Sequence, residues 1–434
     1  AAQTLHPNSR RALPARLDSG KSRDMHALAS RIGPDYVLPA CALLVLPVAI
    51  IAPLMTTWLA ILAALACLPH LRVGEFASRP TYLLFAGAAG FLIVWGAASA
   101  FWSVTPDHSL RKAGELAGFT IGGMALLLGA RRVSAAGRDR IAMAVLIGLL
   151  ITLITIAFEK ISQGALGNFI AGPSEGRLST LSHLNRAASL LAIFSWITVA
   201  LLWRRLPIAA IAALIAVTFG VLMLLDPSTP VLAFAIAGMM FVSARLWPGA
   251  SGIALAAIVF VLFLGAPFAE SISNAVSTLL DSVGITESTI RHRLDIWAFV
   301  SERIADRPLT GWGLDSSRAI PGGDAVIAND AGEIPNLLAT KLPLHPHNAT
   351  LQFWVELGLP GALIASLIVS LAILAAARAA NDVAVRGALL AAIAAALVVG
   401  QMSYGIWQGW WLSTLCLLAA FVVAAGSPER KSGG

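Results

Sequence analysis

Apolar residues run through this chain in unbroken stretches of about twenty, many times over. A helix needs about 20 such residues, with a range of roughly 17–25, to cross the hydrocarbon core of a bilayer. Inside lipid, every backbone N–H and C=O must also be bonded within its own segment. Twelve stretches qualify: 35–54, 56–71, 81–102, 113–130, 140–158, 181–203, 206–225, 230–247, 250–270, 359–377, 386–404 and 409–426. The second is short and starts close behind the first, which predicts a tight hairpin turning at Pro53. Only 12% of residues are charged, against about 25% in soluble domains. The expected fold is therefore an all-α integral membrane protein of about twelve transmembrane helices with one large extramembrane loop.

The chain carries a net charge of +7. Its basic residues fall in short clusters between apolar runs, the pattern of membrane-protein loops rather than of a nucleic-acid surface. With the N-terminus inside, 19 of the 30 lysines and arginines lie on the inner side. Most of the others fall in one long segment, and long translocated loops escape the charge rule. The expected organisation follows. A basic leader (1–34) lies in the cytoplasm and lacks the apolar core of a cleaved signal peptide. Nine membrane helices (35–270) lead to a large outer loop (271–346). An amphipathic helix (347–358) precedes three more membrane helices (359–426) and a cytoplasmic tail (427–434). Cys41, Cys67 and Cys416 lie inside apolar runs and read as small core residues. Trp407, Trp410 and Trp411 read as an interface belt. Gly114, Gly118 and Gly122, four apart, read as a helix-packing stripe.

A few polar residues stand out against this background. Arg186, beside Asn185, lies one to two turns inside the sixth apolar run. A cation there costs a few kcal/mol, roughly 2.5–3.5 at mid-membrane, unless it faces a cavity or a partner. Guanidinium favours planar anions such as phosphate, although snorkelling to headgroups is the alternative. Arg291 and Arg293 share a face on a strand but not on a helix, where Arg293 instead stacks with Trp297. His345 and His347 form a His-Pro-His pair without a carboxylate or cysteine to complete a metal set, so no metal is expected. A neutral outer-face histidine suits a general base, and nearby arginines would hold it neutral. The competing reading of His347-Asn348 is a simple helix start. No P-loop, nucleotide fingerprint, Gly-X-Ser-X-Gly or outward Asp-X-Asp is present.

His347-Asn348, nine residues, then Gly358-Leu359-Pro360-Gly361 resembles the signature of bacterial O-antigen ligases and their relatives. Arg293-x-x-x-Trp297 and Pro308-Leu309-Thr310-Gly311-Trp312-Gly313 resemble that superfamily's periplasmic loop. The resemblance implies a GT-C-like glycosyltransferase of the inner membrane with both termini cytoplasmic and its active site at the periplasmic face. The implied donor is an O-antigen glycan on undecaprenyl diphosphate. The implied acceptor is a sugar hydroxyl of lipid A-core. Transfer would be inverting, metal-independent and free of cofactor, with membrane lipid but no nucleic acid as surroundings. His347 then matches the family's essential histidine, and Arg186 and Arg293 its essential arginines. Arg291, Arg318, His345 and Asn348 are the accompanying substrate-contact candidates, Arg291 competing with Arg293. An O-antigen polymerase or protein O-oligosaccharyltransferase of the same superfamily is the near alternative. A transporter is the distant one, expected to show repeats and midplane charges.

Overall fold

The computed structural model describes residues 33–70, 80–171, 184–225, 228–284, 288–326 and 340–426. The expected leader and tail thus lie outside the described residues, apart from Gly33 and Pro34. So do parts of the outer loop, including Asp330 and Glu333. What is described is all-helical, with one isolated bridge between Val326 and Thr340. The helices are α1 (Pro34–Ile51), α2 (Thr56–Cys67), α3 (Pro80–Ala98), α4 (Pro106–Arg131), α5 (Ala135–Ile161), α6 (Ala165–Ala171), α7 (Leu184–Leu202) and α8 (Ile208–Met223). They continue as α9 (Ser228–Leu246), α10 (Ser251–Gly265), α11 (Ala269–Ser282), α12 (Ser288–Asp306), α13 (Ala349–Ala376), α14 (Val383–Met402) and α15 (Gly409–Gly426).

Among the described residues, eleven helical spans are long and apolar enough to cross a membrane. The seventh predicted run, 206–225, forms only the 16-residue α8, about 24 Å at 1.5 Å per residue. Pro207 at its N-cap costs it the first turn. The fourth predicted helix is longer than 113–130. Its first two turns are polar, and at that end of the bundle Lys112 meets Glu115 at 2.6 Å and Asp315 at 3.7 Å. The ninth run continues through a 3-10 turn at Ala266–Phe268 into the amphipathic α11, and the whole span Ser251–Ser282 has 32 residues. At about 48 Å it exceeds the ~30 Å hydrocarbon core, and α11 folds against α12.

Local chemistry sets the helix ends. Proline fills the first turn of α1 and α4, where its missing N–H is not needed. Ser134 caps α5 by accepting from Gly137 N, and Asp382 caps α14 by accepting from Ala384 N and Val385 N. α7 is the central helix: from Ala187 to Leu202 every residue is buried, against α14, α5, α9 and α1. The expected glycine stripe is corrected. A Cβ at Gly114 or Gly118 would meet nothing within 4 Å, and only Gly122 approaches a neighbour, Ala64 at 3.5 Å. Close approach occurs instead at Gly148, where a Cβ would lie 2.5 Å from the Leu43 carbonyl oxygen and force α1 away from α5. All three cysteines are free.

Candidate active site

The short helix expected over 347–358 begins two residues later, at Ala349, and breaks at Gly358, and the way it breaks builds one wall of the candidate site. Gly358 has φ +63° and ψ −162°, which no helix allows, and Pro360 follows it. α13 is therefore two helical segments joined at a break. The carbonyls stranded at the break need donors. Trp312 N bonds the Val355 oxygen at 2.8 Å, Gly313 N the Glu356 oxygen at 2.8 Å, and the Trp95 indole the Leu357 oxygen at 2.9 Å. Leu359 N returns a bond to the Pro308 oxygen at 2.9 Å. The Pro308–Gly313 loop is thereby sewn onto the break. The contact requires glycine on both sides, because a Cβ at Gly311 would lie 2.4 Å from the Glu356 carbonyl and one at Gly358 2.5 Å from the Leu309 carbonyl.

At the other end of this short helix Asn348 is the N-cap, its side chain accepting from Leu351 N at 3.0 Å. His347, just before it, holds a left-handed φ of +53°, a conformation that side chains adopt rarely. The turn places its ring 4.2 Å from that of His345, centroid to centroid. His347 Nδ1 lies 2.7 Å from the Ser403 carbonyl oxygen. A carbonyl only accepts, so Nδ1 carries the proton and Nε2 of the neutral ring keeps its lone pair. Burial lowers the pKa of His347, the Ser403 contact works against that fall, and Arg293 and His292 add to it.

His345 is more enclosed. Its Nδ1 faces the His347 N–H at 3.2 Å, and its Nε2 faces Gly405 N at 3.2 Å and the Gln408 amide at 3.3 Å. A neutral imidazole accepts at one nitrogen only, so the ring takes its N–H bond on one of these two sides; burial, with His347 and Arg318 nearby, pushes its pKa down to about 3. It is a structural neighbour of His347 and stays neutral. Trp297 donates to the Pro346 oxygen at 3.1 Å and fixes the backbone between the two histidines.

The arginines divide by helix geometry. In α12, Arg291 and Arg293 point apart, as two-residue spacing on a helix demands. Arg291 pairs with Asp281 of α11 at 2.7 Å. Arg293 turns to the histidine side, half-buried, with its pKa lowered by burial. Arg186 is half-buried at the start of α7, its guanidinium 5.6 Å from the Trp410 ring centroid. Among the described residues neither Arg186 nor Arg293 has a carboxylate partner. Arg318 is exposed on a 3-10 turn, Ser317–Ala319, and acts on His345 only through its charge.

The structure adds an organising element that sequence reading missed, the turn 403–408 between α14 and α15. Ser403 holds His347, and Gly405 and Gln408 hold His345. The Tyr404 hydroxyl donates to the Asn185 oxygen at 3.1 Å and lies 3.1 Å from Ser189 Oγ, which ties the turn to the helix end bearing Arg186. Ile406 N donates to Gln352 Oε1 at 2.9 Å and the Trp407 indole to Glu356 Oε2 at 2.5 Å. The belt reading of the tryptophans is corrected accordingly. Trp407, Trp410 and Trp411 are 3%, 2% and 1% exposed, inside the protein and not at a lipid boundary. Trp407 spends its indole N–H on Glu356 and Trp410 on Gln408. The missed signal was two polar residues, Gln352 and Glu356, four apart in an otherwise apolar helical segment.

The class of protein is thus a polytopic membrane protein with a polar cluster at one end of its helical bundle. Residues 219–366 match the family described as O-antigen ligase, a stretch that includes Arg291, Arg293, Arg318, His345, His347, Asn348, Gly358 and Gly361. Over that stretch the chain is similar to the O-antigen ligase family. It is 28% identical over 279 residues to a protein of Rickettsia conorii named "Putative polysaccharide ligase", covering 64% of this chain and 65% of that one, less than two thirds of its length. A Rickettsia bellii protein of the same name is 27% identical over 339 residues, 77% of each chain. One from Rickettsia prowazekii is 30% identical over 235 residues, 54% of this chain and 56% of that one. Arg186 and the 403–408 turn lie beyond the family match.

Proposed function

We propose that this chain transfers a glycan from undecaprenyl diphosphate to a sugar hydroxyl of lipid A-core at the outer face of the bacterial inner membrane, as an O-antigen ligase. The observation that carries the reading is one histidine poised as a base at the same end of the bundle as two arginines that meet no carboxylate among the described residues. His347 is locked with its proton on Nδ1, so Nε2 is free to take the proton of the acceptor hydroxyl. Arg293 and Arg186 are the groups for the diphosphate. As the glycosidic bond to the lipid diphosphate breaks, negative charge grows on the leaving oxygen. Fixed guanidinium groups stabilise that charge in a partly desolvated site. The acceptor oxygen attacks the anomeric carbon from the opposite side, which inverts configuration, and its proton passes to His347 Nε2. Arg291 is committed to Asp281, which favours Arg293 as the phosphate contact. Asn348 caps the helix, and His345 and Arg318 shape the surroundings of His347.

Transfer from purified lipid-linked O-antigen to purified lipid A-core, with a chelator present, tests this reading. Formation of capped lipid A-core is the expected result. Elongation of the lipid-linked glycan in place of capping would assign the chain to the polymerases of the same superfamily.

A further inference from the structure

Glu356 is fully buried, with 0% exposure, and no cation pairs with it among the described residues. It accepts four hydrogen bonds. Asp315 N gives one at 2.6 Å, the Ser317 hydroxyl a second, the Gln352 amide a third at 3.0 Å and the Trp407 indole a fourth at 2.5 Å. An ionised carboxylate has about four lone-pair sites, so the donor set fills it. The donors come from three different places: the loop after α12, the 403–408 turn and the helix of Glu356 itself.

We infer that Glu356 is a positioning residue of the active site, a clamp that holds the 403–408 turn in place and thereby keeps the Ser403 carbonyl on His347. The inference rests on the proposed role of His347. Three links connect the two residues. Trp407 is fastened to Glu356 directly. Glu356 also takes the amide N–H of Gln352, which leaves Gln352 Oε1 facing Ile406 N. The turn is therefore pinned at two consecutive residues, and three residues before the first of them Ser403 meets His347 Nδ1. On the opposite side, Asp315 holds a left-handed φ of +57°, a strained choice for a non-glycine, and in that conformation its N–H meets Glu356. A carboxylate kept for packing alone would be replaceable by an apolar side chain of similar volume without loss. This one sets the direction of an amide, an indole and a turn.

Glutamine at this position offers one oxygen and two N–H donors to a shell built of four donors, so donor faces donor. The test uses the full-length protein in lipid nanodiscs. Diethylpyrocarbonate acylates neutral imidazole, and tandem mass spectrometry reads the extent at His347 as a function of pH. Among the described residues, the charged and titratable groups facing His347 are Arg293 and His292 of α12 and His345 of its own loop, and the variants alter none of them. Loss of the Ser403 carbonyl removes the contact that favours protonated His347. In Glu356→Gln the acid limb of the modification profile is therefore expected to move to lower pH. The kcat for glycan transfer should fall about 30-fold or more, with the donor KM changed less than about 3-fold. Trp407→Phe, which keeps the carboxylate, should move the profile in the same direction by less. An unchanged profile in Glu356→Gln with a wild-type thermal transition overturns the clamp. If Glu356→Gln does not fold, an unchanged profile in Trp407→Phe overturns it. A shifted profile together with full transfer by His347→Ala keeps the clamp and removes the base role.

Discussion

The two ends of the helical bundle both carry arginines, and they treat them differently. At the end away from His347, Arg204 pairs with Asp382, Arg205 with Asp139, and Arg131 bonds the Tyr82 hydroxyl at 2.8 Å and covers its ring. Arg140 covers the Tyr36 ring, and Asp35 accepts from Ser134. These contacts are mostly exposed and tie helix ends together. At the His347 end, Arg291 is used in the same way, but Arg186 and Arg293 are half-buried and meet no acid among the described residues. Partly desolvating a guanidinium without a counter-ion costs free energy. Arg293 acts on the fixed imidazole and Arg186 lies against Trp410, a setting that fits the proposed role of both as contacts for an anion from outside the chain. The comparison teaches that arginine partners, more than arginine positions, separate scaffold from site.

The sharpest way to break this contrast is to remove the base. His347→Ala is expected to lower transfer by about 10²–10⁴-fold, the usual contribution of a positioned acid–base group. Capped lipopolysaccharide on a gel should vanish while the protein remains in the membrane, and normal capping would refute the assignment. Next come the unpaired arginines. Arg293→Ala and Arg186→Ala should each cost about 10²–10³-fold in kcat, comparable to losing one preorganised charge-stabilising donor. Arg291→Ala, which breaks the contact to Asp281, should cost much less. Equal losses at 291 and 293 would erase the distinction between them.

The pH profile gives a smaller and more specific effect. His347 has its pKa below the ordinary 6.5 of histidine. The neutral base is therefore retained as pH falls through 6.5 and is lost only below its own lowered value. The midpoint of the acid-side decline in transfer kcat should lie below pH 6.5. A decline centred above pH 6.5 would contradict the buried, arginine-flanked setting. Smallest of all is the scaffold end. Arg205→Ala removes an exposed pair worth less than about 1 kcal/mol, so thermal stability should shift little and transfer should stay within about 2-fold of wild type. A large loss of activity there would mean that the two ends are not separable.

Much of this was legible in the sequence, and the boundary of legibility is physical. Runs of apolar residues fix membrane helices because lipid allows the backbone almost no other choice. The His-Asn pair and its spacing to Gly358 and Gly361 could be read because a helix start and a helix break have local chemistry. Relations across distant segments could not. Whether Arg291 or Arg293 meets the histidines depends on α12 being a helix, and their spacing fits a strand or a helix with opposite consequences. Glu356 in an amphipathic helix reads as one more polar-face residue until Ser317 and Trp407 are brought to it from elsewhere in the chain. Trp407, Trp410 and Trp411 read as a belt because an indole N–H has no visible partner in one dimension. The left-handed backbone of His347 leaves no trace in composition at all.

The break at Gly358 separates two mechanical loads. Below it, Pro360–Ala376 spans apolar surroundings and must follow whatever tilt the local bilayer thickness imposes. Above it, Ala349–Leu357 is fastened sideways to Trp95, Trp312 and Gly313, and carries His347 at its head. No helical backbone geometry runs through Gly358 to transmit a rotation between them. The joint gives the apolar half and the half that carries His347 separate helical frames.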